Sequence, residues 1–339
     1  MTIDIDGEAG FITVDLRDNP DCVDAGMNLT RVTSTMAAAQ AVFACLDSDI
    51  PHNAGSFRRL EVLLRENCVV GIPRFPHSCS VATTNLTDVI VNVTQSAFAE
   101  LGDGQGFAHG NYCNSAAAGV ASGTDWRRDG ERYINQMFMM GGGGGASAEN
   151  DGMHYLFVPV AAGLLYRDSI EINEQRFPVL IDKMHVVTDS MGHGRRRGGP
   201  ATEVVMGPRN DPMRILHVCN GLESAPKGVR GGTGSQLGGN AKIERDGSEH
   251  PYPAVMVCDL EGGERLRARD QGGGGYGSPL ERETHRVLND VAERYVTAET
   301  ARDVYGVAIT GNVDDDTLAV DEATTARLRT SMNGGGAAA

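Results

Sequence analysis

Gly272-Gly273-Gly274-Gly275-Tyr276-Gly277-Ser278-Pro279-Leu280-Glu281-Arg282 is too ordered to be a flexible linker, which would carry Ser and Thr and no fixed partner. Glycine lets another backbone or a ligand approach closely. Pro279 suits the first turn of a helix, with Ser278 as its cap and Glu281 near the positive end of the dipole. A helical segment with Val287, Leu288 and Val291 follows. After it come Val296-Thr297-Ala298-Glu299-Thr300-Ala301 and then Tyr305-Gly306-Val307. The stretch therefore reads as a tight glycine turn that feeds a C-terminal helical region.

Four other stretches run in order upstream. Asp189-Ser190-Met191-Gly192-His193-Gly194-Arg195-Arg196-Arg197-Gly198-Gly199 is a glycine-arginine loop. Ile170-Glu171-Ile172-Asn173-Glu174-Gln175-Arg176-Phe177-Pro178-Val179 reads as strand-like. Asp49-Ile50-Pro51-His52-Asn53-Ala54-Gly55-Ser56-Phe57 reads as a turn. Gly141 to Ala146, followed by Asp151-Gly152, is a second glycine-rich segment. Together with the C-terminal pattern, these motifs resemble those of the hydantoinase B / oxoprolinase family, with Met191 where the family usually has glycine. The resemblance extends from about Ile3 to Arg329.

That resemblance implies a large subunit of an ATP-dependent amide hydrolase, with relatives in acetone- and acetophenone-type carboxylases. It implies a hydantoinase-A-like, actin/hexokinase-like partner that binds the ATP and phosphorylates a carbonyl or enolate oxygen of a small-molecule substrate. The hydantoinase-B-like part then handles attack by water or carboxylation. Members of the family are usually much longer, and this sequence resembles their C-terminal part. The N-terminal part carries His/Asp segments implicated in binding a divalent metal, with an Asn-Asp-Pro-Tyr-type motif that does not occur here. The expectation is a split, C-terminal half, inactive alone, whose missing half comes from a second hydantoinase-B-like subunit. The alternative is a non-catalytic scaffold subunit of such a complex.

Composition sets the outer bounds. The 339 residues allow one large or two average domains with a substantial core. A hydrophobic content of 40% and a charged content of 22% are those of an ordinary soluble protein. The net charge of −15 excludes nucleic acid as an expected partner, because phosphate-backbone binding needs a basic face. Arg195-Arg196-Arg197 is a local cluster. It reads as a structural ion-pair site, with anion binding or subunit contact through Arg195 and Arg197 as the alternative.

The seven cysteines, Cys22, Cys45, Cys68, Cys79, Cys113, Cys219 and Cys258, form no Cys-x-x-Cys pair. Free thiols in a reducing compartment are the expectation. No secretory signal and no apolar run of membrane-spanning length appears, so the expected location is cytoplasmic and no membrane partner is expected.

Ile3 to Glu8 and Phe11 to Leu16 alternate around a glycine turn and read as a β-hairpin. Its edge is one that a partner could complete. Thr30 to Leu46 and Thr84 to Leu101 show helical periodicity, the first with Val32, Met36, Ala39, Val42, Phe43 and Leu46 on its buried face. Leu60 to Val70 suggests a strand pair. Short β-like runs, separated by Gly or Pro, fill the middle of the chain, and helix returns from Pro279 to Tyr305 and from Glu322 to Met332. The expected class is α+β, β-rich in the centre with helices in the N-terminal third and at the C-terminal end. The expected organisation is an N-terminal α+β region (1–135), a β-rich Gly-loop region (136–278), a C-terminal helical region (279–333) and a disordered tail (334–339).

No P-loop pattern is present. Gly141 to Gly145 reads as close packing, with substrate or partner contact as the alternative; a nucleotide-phosphate site would need a capped helix directly after it. The nine histidines show no i, i+4 pair, so no metal ligand is assigned. His52, His109, His154 and His193 sit in site-like loops but read individually as ordinary loop histidines. Cys113, in a polar loop, reads as an inert thiol or a reactive one. No catalytic residue is identified. The candidates for lining a substrate cleft are Asn53, Gly55, Asp151, His154, Gly272, Gly273, Gly274, Gly275 and Tyr276, where small residues admit a ligand to backbone N–H groups and Asn or Asp fixes a carbonyl or amide.

Overall fold

The N-terminal hairpin is built as its alternation predicts. Strands β1 (Thr2–Asp6) and β2 (Phe11–Asp15) pair antiparallel, with Ile3 opposite Val14 and Ile5 opposite Ile12. Asp6 closes the turn by accepting the N–H groups of Glu8 and Ala9 at 3.0 and 2.9 Å. Helix α1 (Arg31–Ala44) starts in a capping box between Thr30 and Thr33. The single turn α2 (Ala54–Phe57) leads into β3 (Leu60–Leu63), which pairs parallel with β2. The expected strand pair over Leu60 to Val70 is thus a single strand. Beyond it the chain turns back on itself at Asn67, where φ is 52°, and the Asn67 N–H donates to Ile72 O at 3.0 Å.

Helix α3 (Ala82–Ala99) packs along α1. The buried face of α1 is Ser34, Ala37, Ala38, Ala39, Ala41, Val42 and Phe43, whereas Val32 and Met36, expected inside, are exposed. A stripe of alanine brings the two helices close; larger side chains would hold them apart. Computed from the sequence as a structural model, the structure describes residues 1–79, 82–112, 115–136, 139, 141–156, 160, 167 and 169–335. Cys113 and parts of the expected β-like runs 134–140 and 155–160 lie outside these residues.

The centre of the chain forms two sheets around one core. Its elements are β4 (Val120–Asp125), β5 (Glu131–Gln136), α4 (Ile170–Arg176), β6 (Val179–Val186), β7 (Thr202–Pro208), β8 (Met213–Val218), β9 (Gly239–Ile243), β10 (Glu249–Pro251), β11 (Val255–Leu260) and β12 (Arg265–Arg269). One sheet has the order β10-β9-β12-β7-β6 and the other β11-β8-β4-β5, antiparallel throughout. Val204, Met206, Leu266 and Ala268 of the first sheet meet Met213, Ile215, Cys258 and Leu260 of the second in a single buried cluster. Strand β4, inside the expected segment 1–135, hydrogen-bonds to β8 of the central segment.

Residues 170–176, read from the sequence as strand-like, are helix α4. Ser169 caps it by accepting the Ile172 N–H at 3.1 Å, and Pro178 prevents its continuation. The apparent alternation of Ile170 and Ile172 misleads because Ile172 faces outward, 40% exposed.

The C-terminal portion comprises α5 (Thr284–Ala292), α6 (Ala298–Asp303), a two-stranded ribbon β13 (Ile309–Thr310) and β14 (Ala319–Val320), and α7 (Glu322–Gly335). The expected continuous helix from Pro279 to Tyr305 is three pieces. Ser278 and Pro279 open only a 3₁₀ turn over Pro279–Glu281, and Arg294, at φ 59°, separates α5 from α6. Thr297 caps α6, and the Asp189 carboxylate accepts both the N–H and the hydroxyl of Thr297, at 3.0 and 2.7 Å. Val287, Val291, Val296, Ala301, Tyr305 and Val307 close over Met191 in one buried cluster.

Between these parts lies a layer made almost entirely of backbone. Successive N–H groups of the Gly272–Gly275 run donate to different neighbours: Gly273 to Gly199 O (2.8 Å), Gly274 to His109 O (2.7 Å) and Gly275 to Thr233 O (3.0 Å). A pleated strand alternates between two neighbours in one plane. Three directions in three residues match an extended chain with three residues per turn, packed on all sides. A Cβ on Gly273 would run into the Gly144 carbonyl, and one on Gly143 or Gly198 would strike Gly199 or Gly273. Side chains are therefore excluded by contact, and the buried polar backbone is satisfied by its own ladder.

Candidate functional site

The glycine layer brings two loops together around a buried charge cluster. Asp151, which follows the first glycine segment, accepts the Arg197 N–H at 2.9 Å and two hydrogen bonds from Arg282 at 2.7 and 2.9 Å. Arg282 is 1% exposed and turns its other edge to Asp290 of α5, at 2.7 and 3.0 Å. Arg197 completes the set through Nε, 2.7 Å from the second oxygen of Asp290. Two buried guanidinium groups thus share two carboxylates. Burial alone would raise the Asp151 carboxyl, but hydrogen bonds and charge from Arg282, with help from Arg197, hold it below the usual range. Burial works against the Arg282 charge as well, and Asp151 and Asp290 outweigh it, so its pKa is raised.

His154 sits on the edge of this cluster. Nη2 of Arg197 lies 3.3 Å from His154 Nε2, and the ring meets Tyr295 edge-on with centroids 4.5 Å apart. Arg197 also stacks over Tyr295, 5.0 Å from its centroid. Burial, and then the Arg197 charge, lowers the pKa of His154. Gly152 is required in this approach because a Cβ there would meet the Gly144 carbonyl.

His154 and Tyr155 form one wall of a cavity of about 460 Å³. The opposite wall is the end of the β6–β7 pair: Met184, His185 and Val186, with Thr202 across from Val186 and Pro200 before it. Arg167 closes the side, its guanidinium 5.4 Å from the Tyr155 ring centroid and 2.7 Å from Met184 Sδ. Tyr155 has φ 59°, an uncommon backbone conformation for a bulky residue. His185 has its pKa lowered by burial and then by Lys183. Its Nε2 lies 3.8 Å from Glu203, and its Nδ1 is buried without a hydrogen-bond partner.

The other residues singled out in the sequence fall elsewhere. Gly272, Gly273, Gly274, Gly275 and Tyr276 are buried inside the glycine layer, and the Tyr276 hydroxyl donates to Gln105 O at 3.0 Å. Asn53 caps α2 by accepting the Gly55 N–H at 2.8 Å. Gly55 lines a different, apolar groove with Ile5, Phe11, Phe43 and Leu60. Arg195 pairs with Asp103 at 2.7 Å, so both Arg195 and Arg197 have carboxylate partners within the chain. His52 stacks on Phe43, His109 bridges Tyr112 and Ser96, and His193 contacts the Tyr305 hydroxyl at 2.9 Å. Of the expected cleft residues only Asp151 and His154 lie at the charge cluster, and of these His154 lines the cavity.

Sequence reasoning missed Arg282, Asp290, Arg167 and His185. Asp290 carried a signal: it lies on the buried face of α5 with Val287 and Val291, where a lone carboxylate demands a cation. Arg167 and His185 carried none, since fold topology alone joins them. Among the described residues no three His, Cys, Asp or Glu side chains gather to hold a metal ion. No described helix is long and apolar enough to cross a membrane.

Comparison with known proteins agrees with this architecture. An uncharacterized protein of Methanocaldococcus jannaschii is 28% identical over 97% of this chain and 55% of its own length. Caprolactamase subunit beta of Pseudomonas jessenii is 28% identical over 77% of this chain and 45% of its own length. The crystal structure of the ATP-dependent caprolactamase from Pseudomonas jessenii superposes with a TM-score of 0.81 at 25% identity, covering 97% of this chain and 56% of that one. A nucleotide-free acetone carboxylase structure shares the fold at a TM-score of 0.80 and 19% identity, covering 99% of this chain and 48% of that one. The chain therefore spans about half the length of the relatives it matches. The Hydantoinase B/oxoprolinase pattern covers residues 1–279, and the chain belongs to that family.

Proposed function

We propose that this chain works as the hydantoinase-B-like component of a multi-subunit, ATP-dependent enzyme that hydrolyses a cyclic amide or carboxylates a ketone. The observation that carries this reading is the fold shared with the ATP-dependent caprolactamase over 97% of the chain. In it, a hydantoinase-A-like subunit binds ATP and phosphorylates an oxygen of the small-molecule substrate.

This chain's own part is to hold the activated substrate in the His154 cavity. Asp151, Arg197 and Arg282 fix the His154 ring, and Met184, Val186 and Pro200 give the cavity an apolar side suited to carbon atoms. Asn53 at the α2 cap, Gly55 on its separate groove, and the buried Gly272–Tyr276 run take no direct part in substrate contact.

The test is ATP turnover by the assembly isolated with this chain. Turnover stimulated by a cyclic amide, or by a ketone with bicarbonate, and reduced about 10²-fold by His154→Gln is the expected result. An assembly whose turnover is unchanged by His154→Gln would instead favour the scaffold role.

A further inference from the structure

The His154 cavity has the chemistry of an oxyanion site. In a chain of net charge −15 most arginines around it are committed to carboxylates: Arg195 to Asp103, Arg196 to Glu283, Arg197 and Arg282 to Asp290. Arg167 is different. Among the described residues it has no carboxylate partner, only the Tyr155 ring and Met184 Sδ. None of the described residues lining the cavity is acidic. Glu203 approaches His185 from behind, but Lys183 and Arg269 already neutralise it at 3.5 and 3.0 Å.

His154 can donate into this space. A guanidinium has only donors, so the contact from Arg197 fixes His154 Nε2 as an acceptor and puts the ring proton on Nδ1. Among the described residues, that Nδ1 has no partner of its own. A cavity of about 460 Å³ is too large for an inorganic ion alone and offers an apolar wall beside the donors.

We infer that Arg167 and His154 form a binding site for the oxyanion of a small organic molecule, a phosphate ester or a carboxylate, whose carbon part rests on Met184, Val186 and Pro200. This deepens the proposed function, on which it rests for its place in the reaction: a substrate phosphorylated by the partner would bring such a group. The chemistry of recognition stands on the cavity alone.

The experiment uses the full chain by itself, without ATP or partner subunits. Histidine ring signals are followed by NMR while phenyl phosphate or benzoate is added, each against a chloride control of matched ionic strength. The expected result is saturable shifts of His154 for at least one probe, weakened about tenfold or more by Arg167→Met and unchanged by the surface substitution Arg302→Met. Tighter binding of phenyl phosphate assigns the site to a phosphorylated substrate, and tighter binding of benzoate to a carboxylate. Arg167 is exposed, so its variant folds, and its unfolding midpoint is checked in parallel. No saturable shift with either probe, or binding indifferent to Arg167→Met and His154→Gln, overturns the inference. Because no partner is present, that failure leaves the subunit assignment standing, and success here survives a failure to find the assembly.

Discussion

Arg282 ties the Asp151 loop to helix α5 from a fully buried position. It is buried between two carboxylates, and removing it would leave Asp151 and Asp290 sharing only Arg197 and the half-exposed Arg286. Breaking a buried pair on one side costs about 3–5 kcal/mol, far more than the pair itself contributes. Arg282→Met is therefore expected to lower the urea-unfolding free energy by about that amount. Arg302→Met, which breaks a surface pair with Asp303, should cost less than about 1 kcal/mol.

A second residue-scale prediction concerns pH. Asp270 is buried and accepts the Ser115 N–H at 2.7 Å, and burial pushes its carboxyl up to about 6. A group whose folded pKa is raised stabilises the fold when protonated, and that contribution is lost as pH rises through the folded value. Asp270→Asn should thus remove a loss of stability that runs from about pH 4 to 6 and make the protein more stable than the wild type at pH 8, on the order of 2 kcal/mol, in urea titrations at each pH. His109 and His217 act in the opposite sense. Burial lowers both to about 4, so their contribution is present above the ordinary histidine pKa and is lost as pH falls toward 4. A stability difference between Asp270→Asn and the wild type that stayed constant from about pH 4 to 6 would show that Asp270 is not the titrating group.

The glycine layer is the element on which the fold turns. Its segments come from residues 108–110, 141–146, 192–199, 227–233 and 272–275, and they are bonded directly backbone to backbone. A Cβ on Gly273 would occupy the position of the Gly144 carbonyl, with backbone on every side and no flexible side chain to move aside. Gly273→Ala is expected to destabilise by more than about 3 kcal/mol or to abolish folding, read from soluble yield and thermal unfolding. Gly7→Ala in the exposed hairpin turn, where nothing lies within 4 Å of the new methyl, should change stability by less than about 0.5 kcal/mol. Equal tolerance at the two positions would refute the packed layer.

At this scale the sequence was partly legible. The hairpin, α1, α3 and most central strands were visible as elements from the spacing of their apolar residues. Residues 170–176 were not, because a short amphipathic helix and a strand share the pattern Ile-x-Ile, and the deciding Ser169 cap is one residue outside it. The α1 face was misjudged for a related reason: hydrophobicity favoured Val32 and Met36, while the close approach of α3 selects alanine. The glycines were recognised as special, but their placement inside a backbone layer depends on partners up to about 170 residues away, which no local pattern reports.

For the whole molecule, family membership was legible from collinear motifs, and the site only in outline. Asp151 and His154 were in view; Arg282, Asp290, Arg167 and His185 enter through the topology that carries the β6–β7 end and the C-terminal helices to the same loop. The shared fold over about half the length of the relatives makes assembly the central claim. Native mass spectrometry of the complex purified from its source through this chain tests it most directly. The account predicts a stoichiometric assembly containing a hydantoinase-A-like, ATP-binding subunit; a lone monomer or a homodimer without that partner would contradict it.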